Sequence, residues 1–159
     1  MKFILFLSAT ICIAACKSGH DKPTGADGWL KGDVENKFET IASRLRGFDM
    51  AMAETGYRYQ ELYWAGKDEN REYANYQLSK IKLAIKNGLQ RRPKRAKSAE
   101  HFLNSVLPAM QEPINNKDTT LFNHHFQLLT AGCNSCHSME KVAFFFVKPP
   151  LEQKSPIRK

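Results

Sequence analysis

From Val34 onward, apolar residues recur on a helical period: Val34, Phe38, Ile41, Leu45, Phe48 and Met52 are spaced four, three, four, three and four apart. The stripe continues through Tyr59 and Leu62, so the pattern predicts one long helix from about Asp33 to Tyr63, ended by Ala65-Gly66. A second helix is predicted on Ala74, Leu78, Ile81, Ile85 and Leu89, stopping near Arg92 because the residue before Pro93 is driven out of the helical region. A third is predicted on Phe102, Val106, Leu107, Met110 and Ile114. Pro108 and Pro113 would each remove a backbone hydrogen bond from it, so a kink or early end is expected. A fourth, capped by Asp118 or Thr119, carries Phe122, Phe126, Leu129, Cys133 and Cys136 on one stripe. The pattern therefore predicts an all-α fold, a four-helix bundle. Val142–Val147, cut off by Pro149-Pro150, is expected to be an irregular C-terminal strap rather than a strand.

The ends of the chain follow different rules. Residues 1–15 carry Lys2, then an apolar run about half as long as a membrane-spanning helix needs, which reads as a secretory signal. Ile13-Ala14-Ala15-Cys16 resembles the lipobox of bacterial lipoproteins, and this resemblance makes Cys16 the lipidated residue; the competing reading is an ordinary signal and a spare thiol. Residues 16–32 are rich in turn formers and read as a flexible tether, residues 33–150 as the helical domain, and 151–159 as a loose tail. The expected location is the periplasmic side of a bacterial membrane, held there by the lipid.

Charge and cysteines narrow the function. The formal net charge of +8 falls only to +7 if Lys2 leaves with the signal, a balance that favours acidic protein partners or anionic surfaces. Nucleic acid is not an expected partner outside the cytosol. With Cys12 removed and Cys16 lipidated, only Cys133 and Cys136 remain. An exported domain without disulfides must take its stability from its own core or from a bound cofactor.

Gly132-Cys133-Asn134-Ser135-Cys136-His137 contains Cys-x-x-Cys-His, the attachment signature of c-type haem. On a helix, positions three and four apart share a face. Cys133, Cys136 and His137 can thus converge on one macrocycle, the thiols fixing the haem and the imidazole ligating its iron. Zinc would call for further ligands at suitable spacing, and a thioredoxin-like pair for a βαβ context; neither is present. The predicted cofactor is one covalently attached haem c.

The late placement of this motif in a four-helix pattern resembles cytochrome c′ and its class II relatives. The stretch from Leu62 to Pro149 also resembles a family of small bacterial haem-binding proteins. Its marks here are Leu62-Tyr63-Trp64-Ala65-Gly66, Asn70 with Tyr73 to Leu78, and Cys133 to His137 with the Phe-rich run and Pro149. That resemblance implies a methionine ten residues before Leu62, which Met52 matches, and a histidine three before it, where this chain has Tyr59. It also implies a possible homodimer.

The sixth iron ligand decides between a carrier and a ligand-binding protein. Met52 faces the predicted core and is the leading candidate, although a methionine on such a stripe also serves as plain packing. Met110 ranks below it. His124 and His125 precede Cys133 on the same helix and are poorly placed to reach the opposite face, while His101 and His20 are expected in water. Tyr57 and Tyr59 could donate hydrogen bonds to a bound ligand. No acid–base pair or nucleophile constellation is visible, so an enzyme is not expected. The main expectation is a membrane-tethered monohaem cytochrome passing single electrons to a redox partner protein. The first alternative is a five-coordinate haem protein that binds or senses a small gas such as NO, and the second a structural lipoprotein without haem.

Overall fold

The computed structural model describes residues 22–156. Signal, lipobox and Cys16 lie outside the described residues. The structure is all-helical, and the single β-bridge among the described residues joins Thr24 and Leu30. The chain divides into two compact units, Met1–Arg46 and Gly47–Lys159.

In the first unit, a one-turn 3-10 helix at Ala26–Gly28 sits inside the Thr24–Leu30 bridge, so part of the expected tether is a closed turn. Helix α1 (Val34–Arg44) follows, its N-terminus capped by Asp33, whose carboxylate accepts from the Asn36 N–H at 2.8 Å. None of its residues is buried, and Val34, Phe38, Ile41 and Leu45 are exposed.

The long first helix predicted from periodicity is in fact two. Leu45 leaves the helical region with ψ near 119°, Gly47 is extended, and α2 (Phe48–Lys67) starts afresh. Two causes are local. Gly47 gains least from staying helical, and the Phe48 ring sits so close to Gly88 that a methyl group there would meet it at 2.8 Å, which pins the start of α2.

The second unit carries the core. Helix α3 (Arg71–Arg91) starts at Asn70, whose side chain accepts from Tyr73 N–H, and runs antiparallel to α2. Residues 96–116 form an interrupted helix: α4 (Ala96–His101), a π-helical turn at Phe102–Val106, a 3-10 turn at Pro108–Met110 and α5 (Gln111–Asn116). The expected kink is present and has a cause. Pro108 offers no N–H and its ring excludes a regular turn before it, so Leu107 N–H reaches back five residues to Phe102 O at 2.8 Å. Pro113 falls in the first turn of α5, where no internal hydrogen bond is lost. Lys117 closes α5 in the left-handed region, and Asp118 caps α6 (Thr119–Met139) by accepting from Leu121 N–H at 2.8 Å.

Leu62, Ile81, Leu107, Met110, Phe122, Phe126 and Leu129 are almost wholly removed from solvent at the centre of this unit. Tyr59 and Tyr63 pack on Phe126 with ring centroids 4.7 and 4.9 Å apart. After α6 the chain turns at Lys141 (φ 60°) and continues irregularly.

Candidate haem site

Helices α2 and α6 are antiparallel and in a definite register. Tyr59 meets Thr130, Gly66 meets the Phe122 ring, and Lys67 reaches Asn123. Seven residues before Tyr59 on α2 is Met52; seven residues after Thr130 on α6 is His137. Seven residues are two helical turns and about 10 Å of rise. Met52 and His137 therefore stand level with each other, on faces already turned toward one another.

Between them lies a cavity of about 110 Å³ that opens to solvent on one side; it is smaller than the roughly 300–1,000 Å³ usual for cofactor sites, so a macrocycle there would extend out through the opening. Cys133, Cys136 and His137 line one side; Met52, Thr55, Gly56 and Tyr59 line the α2 side at helical spacing. Ile85, Phe102 and Val147 complete an almost entirely apolar wall.

His137 is half-buried, and its Nδ1 lies 2.6 Å from the carbonyl of Phe145. A carbonyl only accepts, so Nδ1 carries a proton, and in the neutral ring Nε2 is the nitrogen whose lone pair can bind a metal. Asn134, between the cysteines, accepts from Val147 N–H at 2.8 Å and donates to Val147 O at 2.9 Å. Ser98 and Arg95, from the start of the interrupted helix, both bond the Glu140 carboxylate at the end of α6.

Neither cysteine is disulfide-bonded. Burial pushes the Cys133 thiol up to about 12, and burial raises that of Cys136, against a lowering hydrogen bond from Ser98. Such thiols are not the acidified nucleophiles of a thiol–disulfide exchange pair. Among the described residues, no group of three or more His, Cys, Asp and Glu side chains is arranged to hold a metal ion, so the cysteines and His137 do not form a zinc-type cluster.

Two features of the α2 wall fit a large flat group. Gly56 sits mid-helix, where glycine costs about 1 kcal/mol relative to alanine, yet a Cβ there would touch nothing within 4 Å. The other helical glycines of this unit differ: Gly66, Gly88 and Gly132 each have a protein side chain pressed against them. Thr55 is 9 % exposed, and its hydroxyl has no hydrogen-bond partner. An orphaned buried hydroxyl and a bare stretch of backbone on one cavity wall are what a bound group would use.

Tyr59 Oη bonds Thr130 Oγ1 at 2.6 Å, and Thr130 spends its own proton on Phe126 O at 2.8 Å, so the tyrosine is the donor. Desolvation pushes the Tyr59 phenol up to about 12. Its hydrogen bond is thus made within the protein rather than held for a ligand.

The remaining sequence candidates lie elsewhere. Met110 is fully buried in the core and absent from the cavity wall. His124 and His125 contact each other edge to edge on α6, away from the cavity, and His101 is exposed. Sequence reasoning missed Thr55, Gly56 and the role of Asn134. A glycine inside a strong helical pattern was the available signal for the second; nothing local marked the other two.

Comparison with models of protein families, with curated proteins and with solved structures finds no match for this chain.

Proposed function

We propose that the protein is a monohaem c-type cytochrome, a four-helix bundle of the cytochrome c′ kind, that carries single electrons. One observation carries the reading: Cys133, Cys136 and His137, in their Cys-x-x-Cys-His spacing, open on a single apolar cavity whose facing wall holds Met52, Thr55 and Gly56. In this reading Cys133 and Cys136 would hold the haem through their sulfurs and His137 Nε2 would bind its iron. The haem supplies a reversible one-electron couple when bound. The chain's own residues do the rest: the apolar wall excludes water, the Phe145 carbonyl orients His137, and Gly56 lets the α2 backbone approach closely.

Met52 would supply a second protein ligand to that iron, supported by its position level with His137, and iron held on both sides would serve a carrier rather than a catalyst. The lipid anchor on Cys16, the periplasmic location and an acidic redox partner belong to the same proposal, supported by the lipobox and the positive charge. No helix among the described residues is long and apolar enough to cross a membrane. Homodimer formation is proposed from the family resemblance alone.

A second reading, a five-coordinate haem protein binding a gas such as NO, is favoured by the unpartnered Thr55 hydroxyl, which could donate to a polar ligand on the cavity side.

The test is expression of the full chain with cytochrome maturation machinery, then a denaturing gel stained for haem. We expect a stained band that disappears in the Cys133→Ser/Cys136→Ser double variant. An unstained wild-type band would overturn the reading and leave a structural lipoprotein. Carbon monoxide added to the ferrous protein separates the other two: little spectral response supports the carrier, a large one the gas-binding protein.

A further inference from the structure

The chain beyond α6 doubles back along the helix it has just left. At the turn, Val142 N–H donates to His137 O at 2.9 Å and Phe145 N–H to Val142 O at 2.9 Å. At the far end, the Asn134 carboxamide takes both backbone groups of Val147, accepting from its N–H and donating to its carbonyl. Between these anchors, the Phe145 carbonyl receives the His137 Nδ1 proton.

The segment has no regular secondary structure to hold it, and Phe144, Phe145 and Phe146 are all largely exposed, so little packing fixes that carbonyl. A carboxamide that satisfies a donor and an acceptor of one residue together is a two-point clamp, and it fixes orientation as well as distance. Asn134 itself cannot move freely, because it stands on α6 between Cys133 and His137.

We propose that Asn134 is a positioning residue for the axial histidine: by clamping Val147 it keeps the Phe145 carbonyl on His137 Nδ1. The clamp thereby selects the tautomer with Nε2 unprotonated and, with haem bound, strengthens electron donation from the imidazole to iron. A hydrogen bond at the outer nitrogen makes a ligating imidazole more basic and favours the oxidised metal. The second half of this proposal rests on the haem reading above; the first half, the tautomer, does not.

Two measurements on the full chain test it. In apoprotein labelled with ¹⁵N-histidine, NMR should show one His137 tautomer, protonated at Nδ1, in the wild type and a mixture in Asn134→Ala. In the holoprotein, Asn134→Ala should shift the midpoint potential in the positive direction. Asn134→Asp, which keeps the acceptor for Val147 N–H but loses the donor, should fall between and guards against a variant that fails to fold. Leu129→Ala, a core truncation away from the clamp, is the control for a merely structural effect: it should lower the melting temperature and leave tautomer and potential alone. The proposal is overturned if Asn134→Ala keeps a single Nδ1-protonated tautomer, or if Leu129→Ala moves both readouts as far. A wild type that takes up no haem would defeat the haem reading, and the apoprotein NMR would still decide the clamp.

Discussion

Tyr59 on α2 donates its phenol proton to Thr130 Oγ1 on α6 at 2.6 Å, and both residues are buried. This bond joins the two helices that flank the cavity. Thr130 remains satisfied without it, through the Phe126 carbonyl, so the cost of losing the phenol is that of one hydrogen bond rather than of a stranded hydroxyl.

Tyr59→Phe should therefore destabilise the protein by about 0.5–1.5 kcal/mol, measured by urea unfolding at neutral pH. The wild type should also lose stability at alkaline pH in a way that the variant does not. Folding raises the Tyr59 pKa from 10.0 to about 12, chiefly through desolvation, so its contribution is complete below pH 10 and fades as the pH rises through about 12. Equal alkaline limbs for the two proteins would show that the phenol titrates no differently once folded.

Gly56→Ala and Gly66→Ala should act in opposite directions on the apoprotein. A Cβ at Gly66 would lie 2.0 Å from the buried Phe122 ring, and overpacking of this kind costs about 1–3 kcal/mol. The same change at Gly56 meets no protein atom and should stabilise α2 by about 0.5–1 kcal/mol. In protein matured with haem, the order changes: Gly56→Ala should lower haem content or alter the visible spectrum. An unaltered spectrum with full haem content would mean that nothing lies against the α2 backbone there.

With haem attached, Met52→Leu should convert a low-spin ferric spectrum to a high-spin one and admit carbon monoxide to the ferrous protein. The substitution keeps the volume of the side chain, so folding should change by less than about 1.5 kcal/mol. A wild type that already binds carbon monoxide as readily as the variant would remove Met52 from the iron.

The thiols of the folded apoprotein should react slowly with iodoacetamide at pH 7, because the thiolate is the nucleophile and burial raises both pKa values. Cys133, pushed up to about 12, should be the slower of the two. Denaturant should expose both. Rapid labelling of Cys133 without denaturant would contradict its burial.

Phe126→Ala removes a ring that is 1 % exposed and in contact with Tyr59, Tyr63 and Phe122, which should cost about 3–5 kcal/mol by chemical denaturation. A loss under 1 kcal/mol would show that the aromatic cluster is not a structural centre.

The residues that can be read one by one from the sequence are those whose meaning is local. Cys133, Cys136 and His137 need only helical spacing to share a face of α6, and Met52 and Tyr59, two turns apart on one stripe, share a face of α2; that both faces line one cavity is a matter of packing. Periodicity also ran straight across Leu45–Phe48 and hid the break between α1 and α2, because the apolar spacing continues while Gly47 does not. The strongest stripe in the chain, from Val34 to Leu45, turned out to line a helix with no buried residue. What only the tertiary structure decided are the relations between distant segments: the α2–α6 register that brings Met52 level with His137, the bare backbone at Gly56, the stranded Thr55 hydroxyl and the Asn134–Val147 clamp. These depend on two chain segments arriving at the same place, a consequence of core packing around Leu62, Phe126 and Leu129 that no window of neighbouring residues contains.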